Sequence, residues 1–316
     1  MNYYIGIDLG TSSCKGILLN REGEVLAEHS VSYPVSTPYT NWSEQNPEDW
    51  YKAAVEILST LSAGREAEIK GVGIAGQMHG LVMLDEHDQV IRPAILWNDG
   101  RSTKQTAYLN SLGTLPALTG NIAFPGFTAP KILWVKENEP ENFARAKKIC
   151  LPKDYLAYKL TGVFSSEYSD AAGMLLLDVQ NKRWSPEMCE ICGITVDMLP
   201  TLFESYEATG KLKAEYGLPN AILCAGKLFI GTISGSVSIT ADAMNNLSDA
   251  SSSIVTFVGF KLAEKPADED HPYGHARIEY LSGLAVSVLI LVIGLELGKT
   301  SLEKILHPAA VKLSAV

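Results

Sequence analysis

The sequence predicts an α/β domain over residues 1–226 followed by an all-α, membrane-spanning stretch over residues 227–316, and three observations carry that division. Short β-rich runs separated by glycine turns fill the first part, beginning with YYIGID and CKGILLN. All five tryptophans, Trp42, Trp50, Trp97, Trp134 and Trp184, fall before residue 185. From about Gly226 onward the chain is built of Gly, Ser, Ala, Leu, Ile and Val, and residues 280–297 form an apolar run of 18 interrupted only by Glu296, long enough to cross a bilayer core. No Pro- or Ser-rich linker marks the change, which is unusual between domains that evolved together.

The elements of the first part follow in order. YYIGID alternates as a strand, DLGTSS is a small polar turn, CKGILLN is a second strand, REGE a hairpin turn, and VLAEHSVSY a third strand. A dinucleotide-binding unit would place a helix after the glycine turn, so strand, tight turn, strand predicts an antiparallel hairpin instead. Such a turn can cradle a phosphate through its backbone N–H groups, with Asp8 at the strand end facing the same place. Taken alone, it fits an ordinary hairpin equally well. GVGIAGQMHGLVMLD reads as a buried strand ending in Gln77, Met78 and His79, then another strand. AILWNDGRS closes on Asn98, Asp99 and Arg101, a polar cluster predicted at a strand's carboxyl end, where open α/β sheets bind ligands. His79 stays open between a structural histidine and a ligand contact.

Composition narrows the function classes. A chain of 316 residues accommodates two ordinary domains. Its net charge of -10 excludes a nucleic-acid binder, because neutralising phosphates needs a basic face. Five cysteines at scattered positions make no disulfide framework and point to a reducing compartment. Cys189 and Cys192 form a single CxxC, a weak metal signal that fits chance spacing at a helix end. MNYYIGID turns polar too early for a secretory signal, so a cytoplasmic first domain is expected.

IDLGTSSCKG, WSEQNPEDWY, GIAGQMHG, RPAILWNDGRS, TGNIAFPGFTAPKILWVKENEPE, LPKDYLAYKLTG and SSEYSDAAGMLLLDV together resemble the first domain of the xylulokinase-type enzymes in the FGGY carbohydrate kinase family, over about residues 3–226. The resemblance implies an actin-like, ribonuclease-H-type fold that binds a ketose such as D-xylulose and uses Mg–ATP. It also implies that Asp8 lies near the Mg–ATP phosphates with Thr11 and Ser12 in the phosphate turn. Met78 and His79 would contact the sugar, within a substrate set of Gln77, Met78, His79, Asn98, Asp99 and Arg101. In that family a strand like AILCAG leads to a turn carrying the aspartate that takes the sugar hydroxyl's proton. Here it leads into KLFIGTISGS, with no carboxylate after Gly226 until Asp242, and the second kinase domain does not follow.

The remaining stretch has its own pattern. SSSIVTFVGFKLA and the run at 280–297 are apolar, and the loop between them carries Lys261, Lys265 and Arg277, which places it on the cytoplasmic side. ADAMNNLSDA puts Asn245 and Asp249 on one helix face, and an aspartate in a membrane helix points to a site. A soluble amphipathic helix is the alternative. KLFIGTISGSVSITADAMNNLSDASSS and DEDHPYGHARIEYLSGL resemble a cation diffusion facilitator, a divalent metal/proton antiporter, over about residues 227–310. The resemblance implies half a transport site at Asn245 and Asp249 and a loop metal site at Asp268, His271 and His275. Asn with Asp favours Mn(II) over Zn(II). Membrane association through about residues 241–305 is expected, with the oligomeric state left open. The combined expectation is a kinase first domain cut at its catalytic turn and joined to a transporter fragment. A real fusion and an assembly artefact both fit the abrupt join.

Overall fold

A computed structural model describes residues 2–224, with Ser287, Val288 and Lys299 as isolated helical positions. The chain divides into two compact units, Met1–Ser234 and Gly235–Val316, and the fold below is that of the first. The predicted membrane helices lie outside the described residues, as do Asn245, Asp249, Asp268, His271 and His275. Among the described residues no helix is long and apolar enough to cross a membrane.

The strands are β1 (Tyr3–Leu9), β2 (Ser13–Leu19), β3 (Val25–Ser32), β4 (Glu44–Gln45), β5 (Ile69–Gly76), β6 (Val82–Leu84), β7 (Ala94–Ile95), β8 (Lys148–Cys150), β9 (Ser165–Glu167), β10 (Leu177–Asp178), β11 (Arg183–Trp184), β12 (Thr201–Phe203), β13 (Ala208–Lys211) and β14 (Ile222–Cys224). The helices are α1 (Pro47–Ser62), α2 (Thr103–Ser111), α3 (Leu115–Thr119), α4 (Thr128–Asn138), α5 (Pro140–Arg145), α6 (Pro152–Thr161), α7 (Tyr168–Ala172) and α8 (Pro186–Cys192). Among the described residues six strands form the main sheet, in the order β13-β14-β5-β1-β2-β3. β1 and β2 are antiparallel, as the strand–turn–strand reading predicts, with Asp8 opposite Lys15. β5 lies parallel to β1 and ends level with it, Leu9 opposite Gly76. β14 is also parallel to β5, but its described pairing stops at Cys224 opposite Gly73.

α1 covers this sheet. Asn46 caps it through a side-chain bond from the Glu48 amide, and Pro47 opens its first turn, where no donor is needed. Trp50, Ala53, Ala54, Ile57, Leu58 and Leu61 recur at helical spacing and are all buried. Each large side chain among them contributes about 1.5–3 kcal/mol by leaving water. The helix lies so close to β2 that a Cβ on Gly16 would fall 2.1 Å from Ile57 Cγ2. A second core gathers α4, α8 and the β6–β8 pair around Leu133, Trp134, Ile149 and Met174. Cys189 and Cys192 are buried in it, and burial pushes their thiols up to about 11 and about 12.

One expectation about the polar cluster needs correction. β7, which leads into Asn98, Asp99 and Arg101, is two residues long and pairs with β4 rather than joining the main sheet. The cluster is therefore carried to the sheet's end by a separate small ribbon.

Candidate functional site

The site forms where β1 and β5 end side by side. After β1 the chain reverses in one tight turn, closed by Gly10 N–H donating to Ser13 O at 3.0 Å. The turn's carbonyls are bound back into the protein: Gly10 O accepts from the Tyr33 hydroxyl at 2.6 Å, Thr11 O from Gln45 Nε2 at 2.7 Å, and Ser12 O from Tyr33 N at 3.2 Å. Asp8 is half-buried, and its charge helps to raise the Cys14 thiol, which burial above all pushes up to about 12. Burial, then the neighbouring Cys14 and Asp8, likewise raise the Tyr33 phenol, keeping it a donor to Gly10.

The two strand ends are tied through Gln45. Its Oε1 accepts from Trp50 Nε1 at 3.0 Å and from Gln77 Nε2 at 3.1 Å, while its Nε2 holds the turn. Gln77 N also donates to Leu9 O at 2.8 Å. Gln77 is thereby fixed in orientation, and its own Oε1 is buried with no partner among the described residues. Beyond Gln77 and the half-buried Met78, His79 takes a left-handed backbone with φ 65. Its Nδ1 lies 3.1 Å from Gly173 O and its ring lies on Phe127 with centroids 4.6 Å apart. Gly173 has to be glycine, since a Cβ there would sit 2.3 Å from His79 Cε1.

The WNDGR segment splits into two behaviours. Trp97 and Asn98 are exposed, and Trp97 Nε1 donates to Thr11 Oγ1 at 3.0 Å, joining this segment to the turn. Asn98 lines a cleft of about 490 Å3 together with the loop from Val35 to Ser43. Asp99 and Arg101 instead face each other in the interior. Arg101 Nε reaches Asp99 Oδ1 at 2.8 Å and Nη2 reaches Oδ2 at 2.7 Å, while Ser43 N donates to Asp99 Oδ2 at 2.6 Å. Arg101 Nη1 goes on to Glu44 Oε1 at 2.7 Å, and its guanidinium lies 3.7 Å over the Trp42 ring. These two side chains are bound up in the protein and brace the segment that presents Trp97 and Asn98.

Sequence reasoning passed over Gln45, Trp97, Phe127, Lys131 and Gly173. Lys131 carried a signal: it is a lysine inside the otherwise uncharged run TAPKILWV, all of it buried on α4. Among the described residues no cluster of three or more His, Cys, Asp or Glu side chains is arranged to hold a metal ion.

This architecture belongs to a recognisable class. The profile of the FGGY family of carbohydrate kinases, N-terminal domain, matches residues 3–226, and the chain belongs to that family. The xylulose kinase of Klebsiella pneumoniae is 43% identical over 86% of this chain and 58% of its own length. That of Lactococcus lactis is 47% identical over 73% of this chain and 47% of its own. Among solved structures, a "xyloylose kinase" from Brucella ovis superposes with TM-score 0.67 at 44% identity, covering 71% of this chain and 47% of that one. A ligand-bound xylulose kinase from Lactobacillus acidophilus gives 0.68 at 26%, covering 72% and 48%. The chain thus spans about half the length of the relatives it matches. A second profile, the cation efflux transmembrane domain, matches residues 217–315 and overlaps the first at the last strand. The Klebsiella match takes in a larger share of the chain than residues 3–226 supply, so kinase-like pairing extends past Gly226 into the stretch the second profile claims.

Proposed function

We propose that residues 1–226 are the sugar-binding half of a xylulokinase-type enzyme that, in this chain, has lost the means to transfer phosphate. The observation that carries the reading is the hydrogen-bonded chain from Thr11 through Gln45 to Gln77, which unites the turn after β1 with the segment bearing Met78 and His79. A turn whose three carbonyls are tied inward is suited to offer amides to an anion, and Asp8 beside it suits the Mg–ATP phosphates. Met78 and His79 contact the ketose, D-xylulose by kinship with the relatives named above, with Gln77 and Asn98 beside them. Asp99 and Arg101 serve this pocket from behind.

The chemistry needs a base on the sugar hydroxyl, because phosphoryl transfer depends on positioning and electrostatics. The sequence has no carboxylate between Glu215 and Asp242, a span that includes the end of β14 and the turn that should follow it. A coupled ADP assay of the purified chain with D-xylulose tests the proposal. Turnover at background level is expected, and turnover abolished by Asp8→Ala overturns it. Calorimetry is expected to show D-xylulose binding no tighter than millimolar, about -4 kcal/mol or weaker.

The cation efflux match supports a second reading for the C-terminal stretch, that of a membrane-associated fragment. In it Asn245 and Asp249 form half a transport site, and Asp268, His271 and His275 are the set best able to bind Mn(II) or Zn(II), being close in sequence. Fractionation of tagged chain with and without residues 227–316 tests it. Sedimentation with membranes or as aggregate is expected only for the longer form, and a soluble monomer removes the membrane reading.

A further inference from the structure

Histidine occupies the left-handed backbone region only where its surroundings hold it there, whereas glycine does so freely. His79, at φ 65, is held from several sides. Its carbonyl accepts from Lys131 Nζ at 2.8 Å and from Thr128 Oγ1 at 3.2 Å. Lys131 Nζ donates to Gly126 O as well. Gly126 precedes Phe127, the residue under the His79 ring, and approaches Trp97 so closely that a Cβ on it would fall 2.6 Å from Trp97 O. A single amine therefore joins the segments that carry His79, Phe127 and Trp97.

Lysines normally keep their ammonium in water while burying the stem. Lys131 is completely buried, and its bonds go to carbonyls. Burial lowers it to about 7, with Asp99 opposing and Arg101 adding to the effect. The neutral amine has two N–H groups for the two carbonyls, whereas the ammonium carries a third that neither of them accepts.

We propose that Lys131 is a positioning residue of the sugar pocket, which fixes the left-handed backbone of His79 and seats Phe127 against its imidazole by holding the carbonyls of His79 and Gly126. Its consequence for sugar binding rests on the reading of His79 as a ketose contact. Its structural part does not.

The test uses the full chain, in mild detergent if it fractionates with membranes, as wild type, Lys131→Met, His79→Gly and the double variant. Urea midpoints are read for each. Lys131→Met is expected to lower the midpoint, and the loss is expected to shrink at least twofold in the His79→Gly background, because glycine keeps φ near 65 unaided. Equal losses in both backgrounds overturn the proposal. Should Lys131→Met fail to fold, recovery of folding in the double variant supports the proposal and failure of both overturns it. D-xylulose titration, followed by ligand NMR, separates the two parts. With wild-type binding present, at least tenfold weakening in Lys131→Met is expected, and unchanged affinity overturns the role in the pocket. Coupling between positions 79 and 131 without any wild-type binding leaves Lys131 as the holder of His79 and removes the ketose reading instead.

Discussion

β1 and β5 run parallel, end level with each other and meet the same site, yet the chain leaves them by opposite means. After Leu9 it turns on a glycine, closes with the bond from Gly10 N to Ser13 O, and is tied to Tyr33 and Gln45, about 20 to 35 positions further on. After Gly76 it passes through a left-handed histidine kept in place by groups from α4, from Phe127 and from Gly173, about 50 to 95 positions further on. The first end is closed by one local bond and held mostly from within the first 45 residues, the second only by remote parts of the chain. The lesson is that conformational strain beside a pocket can be borne by remote buried polar groups.

The largest effect that would sharpen this contrast comes from pH. Lys131 is lowered from 10.5 in the open chain to about 7 when folded, so the folded form binds fewer protons between those values. Its contribution is complete above the higher value and lost as pH falls through the lower. Wild type should therefore gain stability over Lys131→Met between about pH 7 and 10, on the order of 4 kcal/mol at about 1.4 kcal/mol per unit of separation. Urea midpoints at pH 6, 8 and 10 measure it, and a pH-independent difference would break the contrast. Next comes Arg101→Met, which strands Asp99 in the interior and leaves Glu44 to Arg92 alone. Thermal unfolding should record a loss of about 3–5 kcal/mol, and a loss comparable to a surface substitution would show that these carboxylates find other partners. Gly76→Ala places a methyl 2.6 Å from Leu9 Cβ, and overpacking of that kind should cost about 1–3 kcal/mol. A neutral result would mean that β1 and β5 can slide apart. The smallest change is Trp97→Phe, which removes the bond to Thr11 and should cost about 1 kcal/mol. If that variant instead loses several-fold more, the turn after β1 depends on Trp97 more than on its bonds to Tyr33 and Gln45.

The same contrast decides what could be read beforehand. The hairpin of β1 and β2 was legible because alternation and a glycine turn are local signals, as were the strand before Gln77 and the apolar face of α1. The bent backbone at His79 was not, since nothing in QMHG announces a left-handed histidine. Asp99 and Arg101 stood out as polar residues after a strand, but their mutual pairing and burial depend on Ser43 and Glu44, more than 50 positions away. Gln45 was hidden for the same reason: its four side-chain partners include Thr11 on the turn after β1 and Gln77 after β5, each more than 30 positions away. The second part of the chain was read from apolar length and from likeness alone, and its predicted site residues fall outside the described ones.

The strand order also sets a timetable for synthesis. β1, β2 and β3 are successive hairpin partners within the first 32 residues, so their pairing closes only short loops and can proceed quickly. β5 then docks on β1, but its other neighbour is β14, where Ile222 meets Gly71 from about 150 positions downstream. At roughly 5–20 residues per second on the ribosome, that flank of β5 waits on the order of ten seconds or more for its partner. During the wait it is an unpaired strand edge, open to any passing chain with a matching strand. Nascent copies of this protein are thus most exposed to mispairing after β5 has emerged and before Ile222 has, and holding chaperones would protect them most in that interval.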